Sequence, residues 1–193
     1  MSKNGLTISL NEVLFYFTRA GFGVNASIGV SEDFARSNIW IAQNGFDPSE
    51  CSLLALDNLD SQTSSLSIQF EKTGDGSHLF CPEDKVLSAI EASVSCVDWL
   101  EFNGLDGDLK LTNVDSPLLV VSALGANQCT GIQVSWTDKS NNHYEVNLKD
   151  DIEWEIISSS EAPIELSNCA DIYISAFDVN NKTSISNGKL KTL

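Results

Sequence analysis

The sequence predicts an α+β protein: a three-helix N-terminal subdomain and one further helix, packed against a mainly antiparallel sheet formed by the C-terminal half. Two observations carry this. Over residues 9–58 apolar residues recur at helical spacing behind recognisable helix starts. From residue 132 onward apolar and polar residues alternate, the period of a half-buried strand. A third sets the scale: 193 residues, 42% hydrophobic and 20% charged, suit one globular domain over 1–193 that buries a core without disulfides.

The elements follow in order. Ser9-Leu10-Asn11-Glu12 is a capping box, in which Ser9 accepts from the third helical N–H and Glu12 reaches back. Leu10, Val13, Leu14 and Phe17 continue that helix, which should stop near Ala20 at Gly21-Phe22-Gly23. Ser31-Glu32-Asp33 opens a second helix with acids at its positive end; Phe34, Ala35, Ile39 and Ala42 line it and Gly45 ends it. Asp47-Pro48 starts a third, carrying Leu53, Leu54 and Leu56. Residues 9–58 are thus a helical subdomain, and 66–178 a helix plus antiparallel sheet. Leu66–Phe70 alternates as a short strand, and Gly74-Asp75-Gly76 turns. Pro82-Glu83-Asp84 is expected to open a fourth helix with the stripe Leu87, Ile90, Val94, Val97, running to about Leu100. Leu118-Leu119-Val120-Val121 is a continuous apolar run, expected as a strand buried on both faces. Ile132/Val134/Trp136, Tyr144/Val146/Leu148 and Ile152/Trp154/Ile156 alternate as a meander with a polar turn over 138–142. Ala170, Ile172, Ile174 and Ala176 give a further strand, and the chain is polar from Asn180.

Charge limits the partners. Acids outnumber Lys plus Arg by 27 to 11, for a net −16. Nucleic acid and anionic membrane are excluded as partners, because phosphates need a basic face. No stretch approaches the roughly 18 apolar residues of a spanning helix. Met1–Gly5 lacks a long apolar signal region, and five cysteines without a close pair read as reduced thiols, so a cytoplasmic location is expected.

Few residues carry chemistry. There is no G-x-S-x-G elbow. His78 lies three residues before Cys81, and an expected helix start at Pro82 would place Cys81 at a helix N-terminus, which favours a thiolate. Cys81 and His78 are therefore the candidate catalytic pair, against the blander reading of a loop histidine and a buried cysteine. His143 falls at a hairpin turn, where an exposed polar residue is expected. Arg19 and Arg36, the two arginines of an acidic chain, are candidate carboxylate or phosphate clamps, or partners of local acids. Trp40, Trp99, Trp136 and Trp154 lie on or beside apolar stripes and read as core. The histidines and cysteines lack zinc spacing, and Asp106-Gly107-Asp108 matches a calcium loop only faintly, so no metal is expected. A P-loop is absent, and Gly21-Phe22-Gly23 follows a helix rather than a strand, so no cofactor is expected.

Residues 8–47 carry a resemblance. Ile8-Ser9-Leu10-Asn11-Glu12-Val13, Arg19-Ala20-Gly21, Glu32-Asp33-Phe34-Ala35, Trp40 and Asn44-Gly45-Phe46 resemble an uncharacterised bacterial domain-of-unknown-function family whose first helix opens S-L-N-E-V. Asp98-Trp99-Leu100-Glu101-Phe102, Pro117-Leu118-Leu119 and Ile132–Trp136 extend the likeness over most of the chain; Ile172-Tyr173-Ile174 and the Lys/Asn tail depart from it. It implies a bacterial, cytoplasmic, one-domain protein and no mechanism. The opening helices also resemble, faintly, those of the non-Rossmann malate/L-lactate-type dehydrogenases, although the Ser-His-Gly segment of those enzymes is missing and 193 residues is short for one.

Together these features predict a non-catalytic accessory protein, holding a small metabolite or a co-encoded protein between helices and sheet. The alternative is a small-molecule enzyme that uses acidic residues or Cys81 with His78. A third reading, a homo-oligomeric assembly protein, stays open.

Overall fold

The computed structural model describes residues 8–74, 76–83, 85–104, 107–149, 154–158 and 169–177, the side chains of 154–158 excepted. Three helices come first: α1 (Leu10–Gly23), α2 (Ile28–Gln43) and α3 (Ser49–Asp60). The Ser9–Glu12 capping box forms in full, with Glu12 Oε2 accepting from the Ser9 amide at 2.7 Å. That bond, with the Ser9 hydroxyl, holds the Glu12 carboxyl below its usual range. Ser27, not Ser31, caps α2, and Asp47 accepts from the Ser49 amide at the start of α3.

The remaining elements are β1 (Ser64–Ser65), β2 (Gln69–Thr73), β3 (Gly76–Phe80), β4 (Val86–Leu87), α4 (Ala89–Asn103), β5 (Leu109–Val114), α5 (Pro117–Ala126), β6 (Ile132–Thr137), β7 (His143–Leu148), β8 (Trp154–Ser158) and β9 (Ala170–Ala176). The sheet runs β1-β4-β5-β9-β6-β7-β8. The β2–β3 hairpin joins it through β3, which pairs parallel to β5 over Leu109–Leu111, while β4 pairs with the same strand at Val114. The β5–β9, β6–β9, β6–β7 and β7–β8 pairings are antiparallel. The fold is α+β with a mixed, mostly antiparallel sheet.

Two expectations are corrected. The run Leu118–Val121 is helix, not strand: Pro117 starts α5, and every residue from Pro117 to Leu124 is buried. A helix enclosed on all sides is apolar all round, so its sequence loses the helical period and reads like an enclosed strand. The fourth helix starts at Ala89 rather than Pro82. Val86-Leu87 is drawn into the sheet as β4, and Ser88 caps the helix by accepting from the Ile90 amide.

One core joins the layers. Leu79, Leu109, Leu111, Ile132, Val134, Trp136, Tyr144, Val146, Ile172 and Ile174 line one sheet face and share a core with α4, which packs on β5, and α5, which packs on α4. α2 packs on α5 and α4, and α1 on α2. Trp99 and Trp136 are core, as expected; Trp136 stacks on Tyr144, whose hydroxyl donates to Asp138 in the β6–β7 turn. The side chain of Trp154 and the tail from Asn180 lie outside the described residues. All five cysteines are free thiols.

The α2–α5 contact rests on Gly125, where an added Cβ would stand 2.4 Å from Trp40 Cε2. Gly125→Ala is therefore expected to destabilise the fold by about 2 kcal/mol, overpacking outweighing the helix propensity that alanine gains. Urea unfolding followed by tryptophan fluorescence would read this; an unchanged or raised midpoint would refute it.

Candidate active site on the open sheet face

Alternation along β3, β5 and β9 sends Leu79, Leu109, Leu111, Ile172 and Ile174 into the core and their neighbours to the other face. The register then lines up a row on that open face. Glu71 is opposite His78, His78 opposite Lys110, Lys110 opposite Tyr173, and Tyr173 opposite Ser135. Directly opposed side chains on one face lie within contact range.

Specific bonds tie this row together. His78 Nε2 is 2.7 Å from Thr112 Oγ1, on the next strand, and the ring lies against Phe80 at 4.9 Å between centroids. Lys110 Nζ pairs with Asp171 Oδ2 at 2.9 Å and lies 5.5 Å from the Tyr173 ring centre. Asp171 Oδ1 also accepts from the Asn113 amide at 2.9 Å, at an irregularity in the β5–β9 pairing where Asn113 has φ +53°. The Asp171 hydrogen bond holds the Lys110 ammonium above its usual range, partial burial opposing it. Burial pushes the Asp171 carboxyl up, but Lys110 and the Asn113 amide outweigh it and hold it low. The site thus offers a persistently charged ammonium beside an imidazole whose ring is fixed at one nitrogen.

The sequence candidates separate here. His78 is in the cluster. Cys81 is not: it is buried in the core behind the sheet, and no hydrogen bond joins the two among the described residues. Because α4 begins at Ala89, Cys81 does not stand at a helix N-terminus. Arg19 lies over the Phe15 ring at 4.7 Å, and Arg36 pairs with Asp33 at 2.7 Å. His143 is exposed, 3.3 Å from Thr137 Oγ1. Among the described residues no three His, Cys, Asp or Glu gather as metal ligands, and Asp106 lies outside them.

A second polar group is buried at the carboxyl ends of β1, β4 and β5. Asp115 Oδ1 accepts from the Ala89 amide at 2.8 Å, capping α4 from 26 residues away. Among the described residues its Oδ2 has no hydrogen-bond partner, nor do the hydroxyls of Ser64 and Ser116. Burial pushes the Asp115 carboxyl up to about 6, against the pull of the Ala89 amide and the nearby Ser64 and Asn58 side chains.

Sequence reading missed Lys110, Thr112, Asp115, Asp171 and Tyr173. Leu109-Lys110-Leu111-Thr112 does alternate, so a strand signal was present, but its partners come from distant segments.

No protein-family model and no curated protein matches the chain by sequence. Its fold is similar to that of malate dehydrogenase from Pyrococcus horikoshii OT3 (TM-score 0.55, 10% identity, covering 84% of this chain and 53% of that one). It is also similar to a putative malate/lactate dehydrogenase from E. coli (0.56, 11%, 82% and 51%) and to Δ1-piperideine-2-carboxylate reductase from Pseudomonas syringae (0.52, 12%, 80% and 53%). The chain spans about half the length of these structures. The expectation of a non-catalytic accessory or small-metabolite-binding protein is corrected by this likeness, because the structures that share the fold are named as dehydrogenases and a reductase. No helix among the described residues is long and apolar enough to cross a membrane.

Proposed function

We propose that the chain is a small-molecule enzyme of the oxidoreductase class, acting on a small carboxylate that carries a hydroxyl, carbonyl or imine at its second carbon. The observation that carries this reading is the fold shared over at least 80% of the chain with malate, lactate and piperideine-2-carboxylate enzymes. The open-face cluster supplies matching chemistry. Lys110 holds the carboxylate, relieved of part of its attraction to Asp171 as the substrate arrives. His78, its Nε2 engaged by Thr112, exchanges a proton with the reacting oxygen or nitrogen through Nδ1.

An oxidoreductase of this class also needs a hydride carrier. In a strand–helix unit the cradle for a carrier's pyrophosphate is a helix N-terminus. At α4 that position is taken by the Asp115 carboxylate, and α5 opens with Pro117, which has no N–H. The start of α4, with a carboxylate on its first amide, does not fit a pyrophosphate.

The test is turnover of malate, lactate and piperideine-2-carboxylate with nicotinamide dinucleotides or an artificial dye acceptor, alongside calorimetric binding of each acid. Turnover of one is expected. Lys110→Met should raise its KM about tenfold, about 1.4 kcal/mol of carboxylate binding, and leave kcat within twofold. Neither turnover nor binding with any of them would overturn the reading.

A further inference from the structure

We infer that the outward face of α1 is a self-association surface and that its occupant is a second copy of this chain. α1 buries only Val13 and Gly21. Its opposite side presents Phe15, Tyr16 and Phe22 at 53%, 59% and 64% exposure, with Phe15 and Tyr16 edge to face. Three exposed aromatics on one helix exceed what scattered surface residues require and mark a contact face. With Glu12 and Arg19 the stripe reads 12, 15, 16, 19, 22, the three-four spacing of a helix seam.

The charge pattern says what covers it. The chain carries −16, yet α1 holds one acid and one base, so this helix is neutral on a strongly acidic molecule. A second copy meets least repulsion there. The pattern is also self-complementary. Two α1 helices laid antiparallel about a twofold axis between Phe15 and Tyr16 bring Glu12 opposite Arg19 of the partner subunit, and Arg19 opposite Glu12 of the partner subunit. Phe15 and Tyr16 meet at the centre, and Phe22 lies towards either end of the contact. A twofold interface uses one patch twice and needs this kind of self-match. Glu12 spends one oxygen on the capping box and keeps Oε1 for this pairing. A helix of 14 residues is about 21 Å long and buries less than the roughly 800 Å² per partner of a standard interface, so the dimer is a weak, concentration-dependent one.

Sedimentation equilibrium of the full chain from 5 to 500 μM tests this. A monomer–dimer equilibrium is expected, shifted at least tenfold towards monomer by Arg19→Glu and by Phe22→Asp, whose side chain is exposed and supports no core contact. Arg19→Glu and Glu12→Arg chains should each be monomeric alone and form a heterodimer when mixed, because opposite charges then face each other again; circular dichroism confirms that each is folded. A wild-type chain that is monomeric throughout, or a dimer indifferent to both single variants, overturns the proposal and leaves the face to a different partner.

Discussion

On the proposed function, replacing His78 by glutamine is expected to lower kcat about 100-fold on whichever of the tested acids is turned over, with KM changed less than threefold. Glutamine keeps a polar contact to Thr112 on the neighbouring strand, so the sheet and the proposed carboxylate contact of Lys110 stay intact. What it lacks is a group that gains and loses a proton, worth roughly 10² or more in a proton-coupled step. Thr112 acts through the ring: Thr112→Val should cost kcat about tenfold and Thr112→Ser should restore it. Steady-state kinetics on the purified variants decide the matter. A His78→Gln enzyme with wild-type kcat would remove His78 from the mechanism whatever the fold's relatives do.

A second large effect concerns Asp115 and stability. Burial lifts this carboxyl from 3.8 to about 6, so the folded state holds its proton more tightly than the unfolded chain does. The sign follows by linkage. Between pH 4 and pH 6 the folded protein binds more protons than the unfolded one, so stability falls as pH rises through that window. A shift of this size corresponds to about 3 kcal/mol, fully present below pH 4 and lost above pH 6. Asparagine keeps an acceptor for the Ala89 amide and carries no charge. Asp115→Asn is thus expected to match wild type at pH 4 and to exceed it by up to about 3 kcal/mol at pH 7.5. Comparing the two proteins cancels the carboxyls held low by local bonds, such as Asp47 and Asp171, which act in the opposite direction. Urea unfolding at both pH values measures the difference, and parallel curves would show that Asp115 is not charged at cost in the folded state.

What was legible in the chain was what is local. The capping box at Ser9 needs residues three apart, and it is present. Alternation along Ile132–Thr137 and His143–Leu148 reports one buried face, and those strands pair as a hairpin. The errors mark where distant partners decide. Pro82-Glu83-Asp84 has the composition of a helix start, but the carboxylate that caps α4 is Asp115, across the core. Leu118–Val121 is apolar because α5 is enclosed, and enclosure erases the period that would identify it as a helix. The site followed the same rule. His78 stood out as one of two histidines, but its partner Thr112 comes 34 residues later, and Asn113 and Asp171 meet over a separation of 58. The charge pair that turns an ordinary histidine position into a candidate carboxylate site exists only once β9 is seated beside β5.

The position of β9 has a consequence for the order of events during synthesis. Last of the described strands in the chain, it lies at the centre of the sheet, bonded to β5 on one side and β6 on the other. Until Ala170–Ala176 has left the ribosome the sheet consists of two halves, each with an unpaired inner edge lined by apolar side chains. Final assembly therefore waits for β9, is slow because both closures span long stretches of chain, and is exposed to edge-to-edge association meanwhile. A chain cut short before Ala170 would keep two half-sheets with unpaired edges, whereas one that includes Ala170–Ala176 holds the strand that joins them.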